Sequence, residues 1–285
     1  MKTEKIKSHC KINLFLHILG KRSDGFHELE SLFYFPEIYD EIEILPATGE
    51  KLQIEGPFAG PLQDNKNSNL ILKTYSLLKI LYGAKIPDLS FKLTKNIPVS
   101  SGIGGGSANA AAVLKYLNET YELGLRPSQL YKIGARLGAD VPACIMDRTC
   151  FAKGIGEILS DVEEFPKLNI LLVNPLVPVS TAEIFKMGFS QFTTPLSNAE
   201  LSFKTTQSLI DFLEGTRNDL ETNAKKLCPQ INDILNIVKA QSGCLLSRMS
   251  GSGSTIFGIF ETKDKALTAK EIIMKQNPAY WVSAG

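Results

Sequence analysis

The segment that most constrains this chain is IPVSSGIGGGSANAA, residues 97–111. Gly102, Gly104, Gly105 and Gly106 stand between LSFKLTK at 89–95, which reads as a strand, and SANAAAVLKYLNETY at 107–121, whose alanines and leucines predict a helix. Glycine reaches backbone conformations closed to other residues, so several N–H groups can converge on the positive end of that helix. Such a convergence is an anion site. Ser107 and Asn109 add side-chain donors on the first turn, and the alanines that follow let the helix pack closely against a sheet. A flexible turn has no need of glycines this dense directly before an alanine-rich helix, so phosphate binding is the reading.

The loop is none of three familiar kinds. The Gly-Lys pair at Gly20-Lys21 is followed by Arg22, which excludes a Walker loop. The position where a dinucleotide fingerprint needs its third glycine, counted from Gly102, holds Ser107, and strands alternating with helices do not precede it. The HRDxxxxN and DFG segments of protein kinases are missing.

Lys plus Arg number 31 against 30 Asp plus Glu, a net charge of +1, so no global field draws the chain to nucleic acid or an acidic membrane. The start, MKTEKIKSHCKINLFLHILG, is interrupted by Lys11, Asn13 and His17 and does not read as a signal peptide. NILLVNPLVPV is too short and proline-split to span a bilayer. A cytoplasmic protein is expected. The five cysteines, Cys10, Cys144, Cys150, Cys228 and Cys244, have no ligand spacing and read as reduced thiols. The three histidines, His9, His17 and His27, lie at spacings that do not suit a metal.

Ile12, Leu14, Leu16 and Ile18 alternate onto one face of a strand, leaving Lys11, Asn13, Phe15 and His17 on the other. With the turn at SDG, a strand over FHELESLFYF and another at DEIEIL, the opening predicts an antiparallel meander. Helices are expected over 68–82 and 126–138, the latter with Pro127 at its first position and Gly138 at its end. From about 164 the pattern restarts with a strand (LNILLVNP), a short helix (STAEIF), a polar and mobile stretch near 188–205, and an amphipathic helix around 218–240. A strand (CLLSRM), a small-residue loop (SGSGS), a strand (TIFGIF), a helix (DKALTAKEIIMKQ) and a last short strand follow. The pattern predicts an α+β protein with domains at 1–163 and 164–285.

PVSSGIGGGSANAA resembles the signature loop of the GHMP small-molecule kinases. KINLFLHILGKRSDGFHELESLF, LGADVPACI, FAKGIGEIL and SRMSGSGSTIF extend the resemblance over nearly the whole chain, toward the branch that phosphorylates a cytidylyl acceptor. The resemblance implies a two-lobed fold, with an N-terminal lobe like ribosomal protein S5 and a ferredoxin-like C-terminal lobe of antiparallel sheet and helices. It implies ATP with Mg2+ as cofactor, and transfer to the 2-hydroxyl of 4-(cytidine 5'-diphospho)-2-C-methyl-D-erythritol in the non-mevalonate isoprenoid pathway. The alternatives are another GHMP acceptor, such as homoserine or mevalonate, and a non-catalytic nucleotide-binding module. A monomer or weak homodimer that binds no nucleic acid is expected.

The resemblance also assigns residues. Asp140, which by position alone could be a plain helix cap, becomes the base. Lys11, which alone reads as a solvated strand residue, becomes the cation beside it, with Asn13 orienting the acceptor. Pro98, Val99, Ser100, Ser101, Gly102, Ile103, Gly104, Gly105, Gly106, Ser107 and Ala108 cradle ATP, with Lys95, Asn69 and Leu70 lining the adenine pocket. Phe26 and His27 take the cytosine by stacking and edge hydrogen bonds. Phe26 stands where the family commonly has tyrosine, so any hydroxyl contact is lost. Thr181 borders the erythritol end. Gly251, Ser252, Gly253 and Ser254 form the third GHMP motif. For the magnesium ion the sequence offers no carboxylate pair, and Ser107 is the one candidate ligand.

Overall fold

The computed structural model describes residues 3–47, 49–64, 66–196 and 201–285. In chain order they form β1 (Glu4–His9), β2 (Ile12–Lys21), β3 (His27–Tyr34), β4 (Tyr39–Pro46), β5 (Leu52–Glu55), α1 (Gly60–Gln63), α2 (Leu70–Tyr82), β6 (Leu89–Thr94), α3 (Gly105–Thr120), α4 (Pro127–Leu137), α5 (Val141–Met146), β7 (Cys150–Lys153) and β8 (Ile158–Asp161). Then come β9 (Asn169–Asn174), α6 (Thr181–Lys186), α7 (Thr206–Glu214), α8 (Glu221–Leu227), α9 (Gln230–Lys239), β10 (Cys244–Met249), β11 (Ile256–Phe260), α10 (Lys263–Gln276) and β12 (Trp281–Ala284).

These elements close into two compact units that do not follow a single cut at 163. One comprises the chain through Cys10 with Tyr39–Val99 and Gly104–Asp147, and the other Lys11–Ile38, Ser100–Ile103 and Arg148–Gly285. The cause is a strand pairing. Ser31, Leu32 and Phe33 of β3 pair with Ala152, Phe151 and Cys150 of β7, which takes the early β2–β3 hairpin into the unit of the later residues.

In the first unit the sheet runs β1-β4-β6-β5, antiparallel except for the β5–β6 pair. Alternation along β4 turns Asp40, Ile42 and Ile44 inward, each fully buried. Helix α3 buries Ala108, Ala110, Ala111, Val113 and Leu114, the small-residue packing expected of it. At Gly134 a Cβ would lie 2.7 Å from Ile145 Cδ1 and 3.1 Å from Val141 Cγ1, so α4 and α5 meet where only glycine fits.

The second unit holds an antiparallel sheet β2-β3-β7-β8 and another, β10-β11-β9-β12. On one face of the latter, Ile231, Ile234 and Val238 of α9 and Ala266, Ala269 and Ile273 of α10 pack with Leu171, Val173, Ile256, Phe260 and Val282. The expected strands at CLLSRM and TIFGIF and the helix after them are all present. No helix among the described residues is long and apolar enough to cross a membrane. The four cysteines Cys10, Cys144, Cys150 and Cys228 are buried thiols, as expected of reduced residues, and Cys244 is half-buried.

Several expectations need correction. The opening is not one meander: β2 and β3 form a hairpin, but β4 pairs with β1 and β6 in another sheet. Lys11 is not the solvated strand residue it reads as alone: with Asn13, Phe15 and His17 it is as buried as Ile12 and Leu14. Register shifts between Asn13 and Phe15 and between Ile18 and Gly20 break the alternation of β2. The segment 217–219 also lies along it, Leu16 N donating to Arg217 O at 3.0 Å and Asp219 N to Leu16 O at 2.9 Å. The helix expected over 218–240 is two, α8 and α9, interrupted at Cys228-Pro229 because proline supplies no N–H to continue the first. Of the polar stretch 188–205, residues 197–200 lie outside the described residues. Thr193 N donates to Ile18 O at 2.8 Å and Leu196 N to Glu30 Oε2 at 2.9 Å, tying the preceding part to β2 and β3.

Candidate active site

Helix α3 starts in the manner the glycines suggest. Gly104 precedes it in the left-handed conformation (φ 66°, ψ 16°), and no side chain caps the first turn. Its leading N–H groups therefore have no capping side chain as partner and can serve an anion. Gly105 is needed for packing, since a Cβ there would come within 3.1 Å of Lys95 Nζ and 3.2 Å of Ile97 Cγ2. Gly106 is different. It is exposed, and a Cβ would find nothing nearer than Leu70 Cδ1 at 3.9 Å, so no protein atom requires glycine there. That open space over a helix N-terminus fits a phosphate chain.

Ser107 Oγ faces Gly138, lying 3.7 Å from where a Cβ on that glycine would be. Asp140, two residues on, stands at the start of α5 and is half-buried, yet its side chain makes no cap hydrogen bond to that helix. The plain-cap reading of Asp140 therefore does not account for it. Among the described residues there is no group of three or more His, Cys, Asp or Glu able to hold a metal. The hydroxyl of Ser107 is a hard oxygen on the first turn of α3, which suits a magnesium ion that takes most of its ligands from phosphate and water.

In the second unit, Lys11 and Asn13 are each 3% exposed, and Lys11 Nζ donates to Asn13 Oδ1 at 3.0 Å. The ammonium also stands 4.3 Å above the ring centre of Phe33. Asn13 Nδ2 donates to Ser31 Oγ at 2.8 Å, and Ser31 Oγ to Phe15 O at 2.5 Å. Lys11 and Asn13 are thus brought together, Asn13 held by a serine that the sequence did not single out.

The two small-residue loops interlock. A Cβ on Gly102 would lie 2.6 Å from Gly253 O and 2.8 Å from Gly253 N and Ser250 O, and one on Gly251 would lie 2.7 Å from Gly102 O. Ser250 Oγ accepts from Asn13 N at 3.0 Å and donates to Gly102 O at 3.2 Å, while Thr255 Oγ1 donates to Ser101 O at 2.6 Å. The third motif is therefore brought against Ser101 and Gly102 and beside Asn13, and Ser252 Oγ lies 2.7 Å from Thr181 Oγ1.

His27 lies against Phe185 and Phe189, ring centres 4.9 and 5.4 Å away, whereas Phe26 leaves 58% of its surface exposed. Burial, with a smaller contribution from Lys21, holds the His27 imidazole below its usual range, so the ring is neutral at pH 7. Phe189 is a residue that sequence reasoning missed; the signal available was the aromatic spacing in IFKMGF after Thr181.

Two expected nucleotide residues have structural partners of their own. Asn69 caps α2, its Oδ1 accepting from Ile71 N at 2.9 Å. The Lys95 side chain is 3% exposed and ion-paired with Asp40, and its backbone N–H and C=O are bonded to Glu55 O and Phe58 N. Lys95 does not line a pocket with its side chain. Asp40 was missed, and so was Arg248, which is buried and donates to Leu14 O, Thr216 Oγ1, Leu213 O and Thr216 O at 2.8–2.9 Å.

A model of the GHMP kinases N terminal domain matches residues 69–148, and one of the GHMP kinases C terminal domain matches 201–279. The 4-diphosphocytidyl-2-C-methyl-D-erythritol kinase of Mesorhizobium japonicum is 43% identical over 279 residues, 97% of this chain and 93% of that protein. The chain belongs to the 4-diphosphocytidyl-2-C-methyl-D-erythritol kinase family. A member of that family from Chelativorans sp. is 41% identical over 276 residues, 96% of this chain and 93% of that protein. A crystal structure of a 4-(cytidine 5'-diphospho)-2C-methyl-D-erythritol kinase matches at a TM-score of 0.80 and 28% identity, over 99% of this chain and 98% of that one. A homoserine kinase from Cytophaga hutchinsonii matches at a TM-score of 0.63 and 15% identity over 100% and 95% of the two chains, which shows the fold alone. The α+β GHMP kinase fold expected from the sequence is therefore correct, and the chain is a small-molecule kinase that uses ATP.

Proposed function

We propose that the chain transfers the γ-phosphoryl group of ATP to the 2-hydroxyl of 4-(cytidine 5'-diphospho)-2-C-methyl-D-erythritol, giving the 2-phosphate and ADP. The observation that carries this reading is the identity of 41–43% over nearly the full chain to kinases named for that compound. The buried Lys11–Asn13 pair and the aromatic setting of His27 support it.

Phosphoryl transfer asks the protein for positioning and charge stabilisation more than for covalent chemistry. The acceptor oxygen forms a bond to the γ-phosphorus as the bond to the β,γ-bridging oxygen breaks, and the hydroxyl proton passes to Asp140. Lys11 stabilises charge on the transferring group, and Asn13, fixed by Ser31, orients the acceptor. Residues 98–108 hold the phosphates through main-chain N–H groups, with Gly251–Ser254 supporting Gly102. Phe26, His27 and Phe185 take the cytosine, and Thr181 the erythritol end. Magnesium, when bound, neutralises phosphate charge, and Ser107 is the side chain suited to hold it.

The reading carries with it a cytoplasmic enzyme that acts as a monomer or weak homodimer on a free metabolite. The net charge of +1 supports a partner other than nucleic acid. ADP formation measured with the cytidylyl acceptor, homoserine and mevalonate tests it. Turnover with the cytidylyl acceptor alone is expected; turnover with either of the others in its place overturns the reading.

A further inference from the structure

Asp40 and Lys95 form an ion pair with no exposure to solvent beyond 3% on the lysine. Asp40 takes the first inward position of β4, ahead of Ile42 and Ile44, where an apolar residue would ordinarily stand. Burying such a pair costs several kcal/mol of desolvation per ion, and an apolar pair of similar volume often packs as well or better. Its placement shows what it does instead.

The positive pole stands at the end of α3. Lys95 Nζ lies 3.1 Å from the Cβ position of Gly105, the first residue of that helix. The negative pole is held by a side chain of the second turn. With the Asn109 amide turned so that its nitrogen faces acceptors, Nδ2 donates to Asp40 Oδ2 and Gly105 O, both at 3.2 Å, and to Ser8 Oγ at 2.7 Å. The ammonium is therefore the pole against the first residue of α3, and the carboxylate lies behind it against Asn109, so the pair's positive end is the one beside the phosphate loop. The other carboxylate oxygen, Asp40 Oδ1, accepts from Asn96 N at 2.8 Å and Ile97 N at 2.9 Å, which fixes the chain as it leaves β6 for the loop. Burial lowers the Lys95 ammonium's pKa, and Asp40 opposes that shift.

We propose that Asp40 and Lys95 are positioning residues for the nucleotide, a buried dipole that reinforces the N-terminus of α3 and sets affinity for the phosphates while touching none of them. The inference rests on the reading of the α3 loop as the ATP site. It differs from a scaffolding role in one respect: its effect scales with ligand phosphate charge.

The test compares ATP with adenosine. In Asp40→Asn/Lys95→Met the asparagine keeps its oxygen toward Asn96 N and Ile97 N, and its amide nitrogen can donate to Asn109 Oδ1 once that amide turns over, giving up its bond to Gly105 O, so most of the hydrogen bonds survive while both charges are gone. Asp40→Asn/Lys95→Gln, which also removes both charges but keeps a donor at position 95, is the second variant should the first not fold. Dissociation constants for ATP and adenosine, with Tm alongside, are the measurements. The preference for ATP over adenosine is expected to fall about five- to thirtyfold in both variants, the range of a helix-terminus charge effect in a partly buried setting. A preference within about twofold of the parent in either folded variant, or equal weakening of both ligands, overturns the proposal. Failure of the parent itself to bind ATP would instead strike the reading of the loop.

Discussion

Lys11 Nζ donates to Asn13 Oδ1 across 3.0 Å although both side chains are almost wholly buried. A buried ammonium is costly unless its donors are used, so this bond fixes where the charge points. Replacing Asn13 with leucine, of similar size, removes the acceptor and leaves Ser31 Oγ without its 2.8 Å donor. Loss of about 1–3 kcal/mol of stability is expected from the groups left unpaired. Turnover should fall by about tenfold or more, which equals at least 1.4 kcal/mol of lost transition-state stabilisation. Urea unfolding and steady-state kinetics check both, and an Asn13→Leu enzyme with parental kcat would remove Asn13 from the site.

Gly102 and Gly106 lie in one loop yet should respond oppositely to alanine. At Gly102, with φ +75°, the added Cβ would meet Gly253 O at 2.6 Å and Ser250 O at 2.8 Å, backbone atoms that cannot step aside. Strain there is expected to cost more than about 2 kcal/mol of stability. At Gly106 the Cβ enters open space, and alanine favours a helix over glycine by about 1 kcal/mol. Gly106→Ala should therefore raise Tm while raising KM for ATP by about tenfold or more, because the methyl takes phosphate space. Thermal melts and ATP titrations separate the two; an unchanged KM in Gly106→Ala would mean that the open space has another use.

His17 titrates in a direction set by its burial. The ring is 2% exposed, its Nε2 accepts from Arg217 N at 3.3 Å, and burial lowers its pKa, with Asp219 opposing. The folded pKa lies below the ordinary value of 6.5, so the unfolded chain binds the proton first as pH falls. Stability from the neutral ring is complete above about pH 6.5 and is lost as pH falls toward the folded pKa, by at most about 1.4 kcal/mol per unit. His27, lowered in the same direction, adds to the slope. Tm measured from pH 8 to pH 5 should fall less steeply in His17→Gln than in the parent. Identical slopes would show that His17 does not titrate on unfolding.

The difference between what could and could not be read from the sequence is one of range. The glycine loop, the strand at Cys244–Met249 and the helix after Thr262 announce themselves in local pattern, because turns, alternation and helical spacing are short-range properties. Asp40 does not. Its alternation with Ile42 and Ile44 does place it inward, but its partner Lys95 is 55 residues away and nothing local pairs them. Arg248 is hidden in the same way, since its cage of carbonyls comes from Leu14, Leu213 and Thr216. Lys11 misleads in the same way: alone it reads as a solvated strand residue, yet it is buried, and the groups around it, the Phe33 ring among them, come from elsewhere in the chain.

Asp140 gives the sharpest separation of stability from chemistry. Were it a cap, Asp140→Ala would cost about 0.5–2 kcal/mol, yet its side chain makes no cap bond to α5. Asp140→Asn keeps the size of the side chain and removes only the charge and the basicity. If Asp140 takes the acceptor's proton, turnover should fall by about 10²–10⁴, the usual contribution of a general base. The dissociation constant for ATP should stay within about threefold, because a lost transition-state interaction lowers kcat without loosening the ground state. Tm should shift by less than about 4 °C, equivalent to roughly 1–2 kcal/mol for a chain of this size. A variant with parental turnover would leave the proton to another group. One with unchanged kcat/KM but a large fall in Tm would return Asp140 to a structural part at the start of α5.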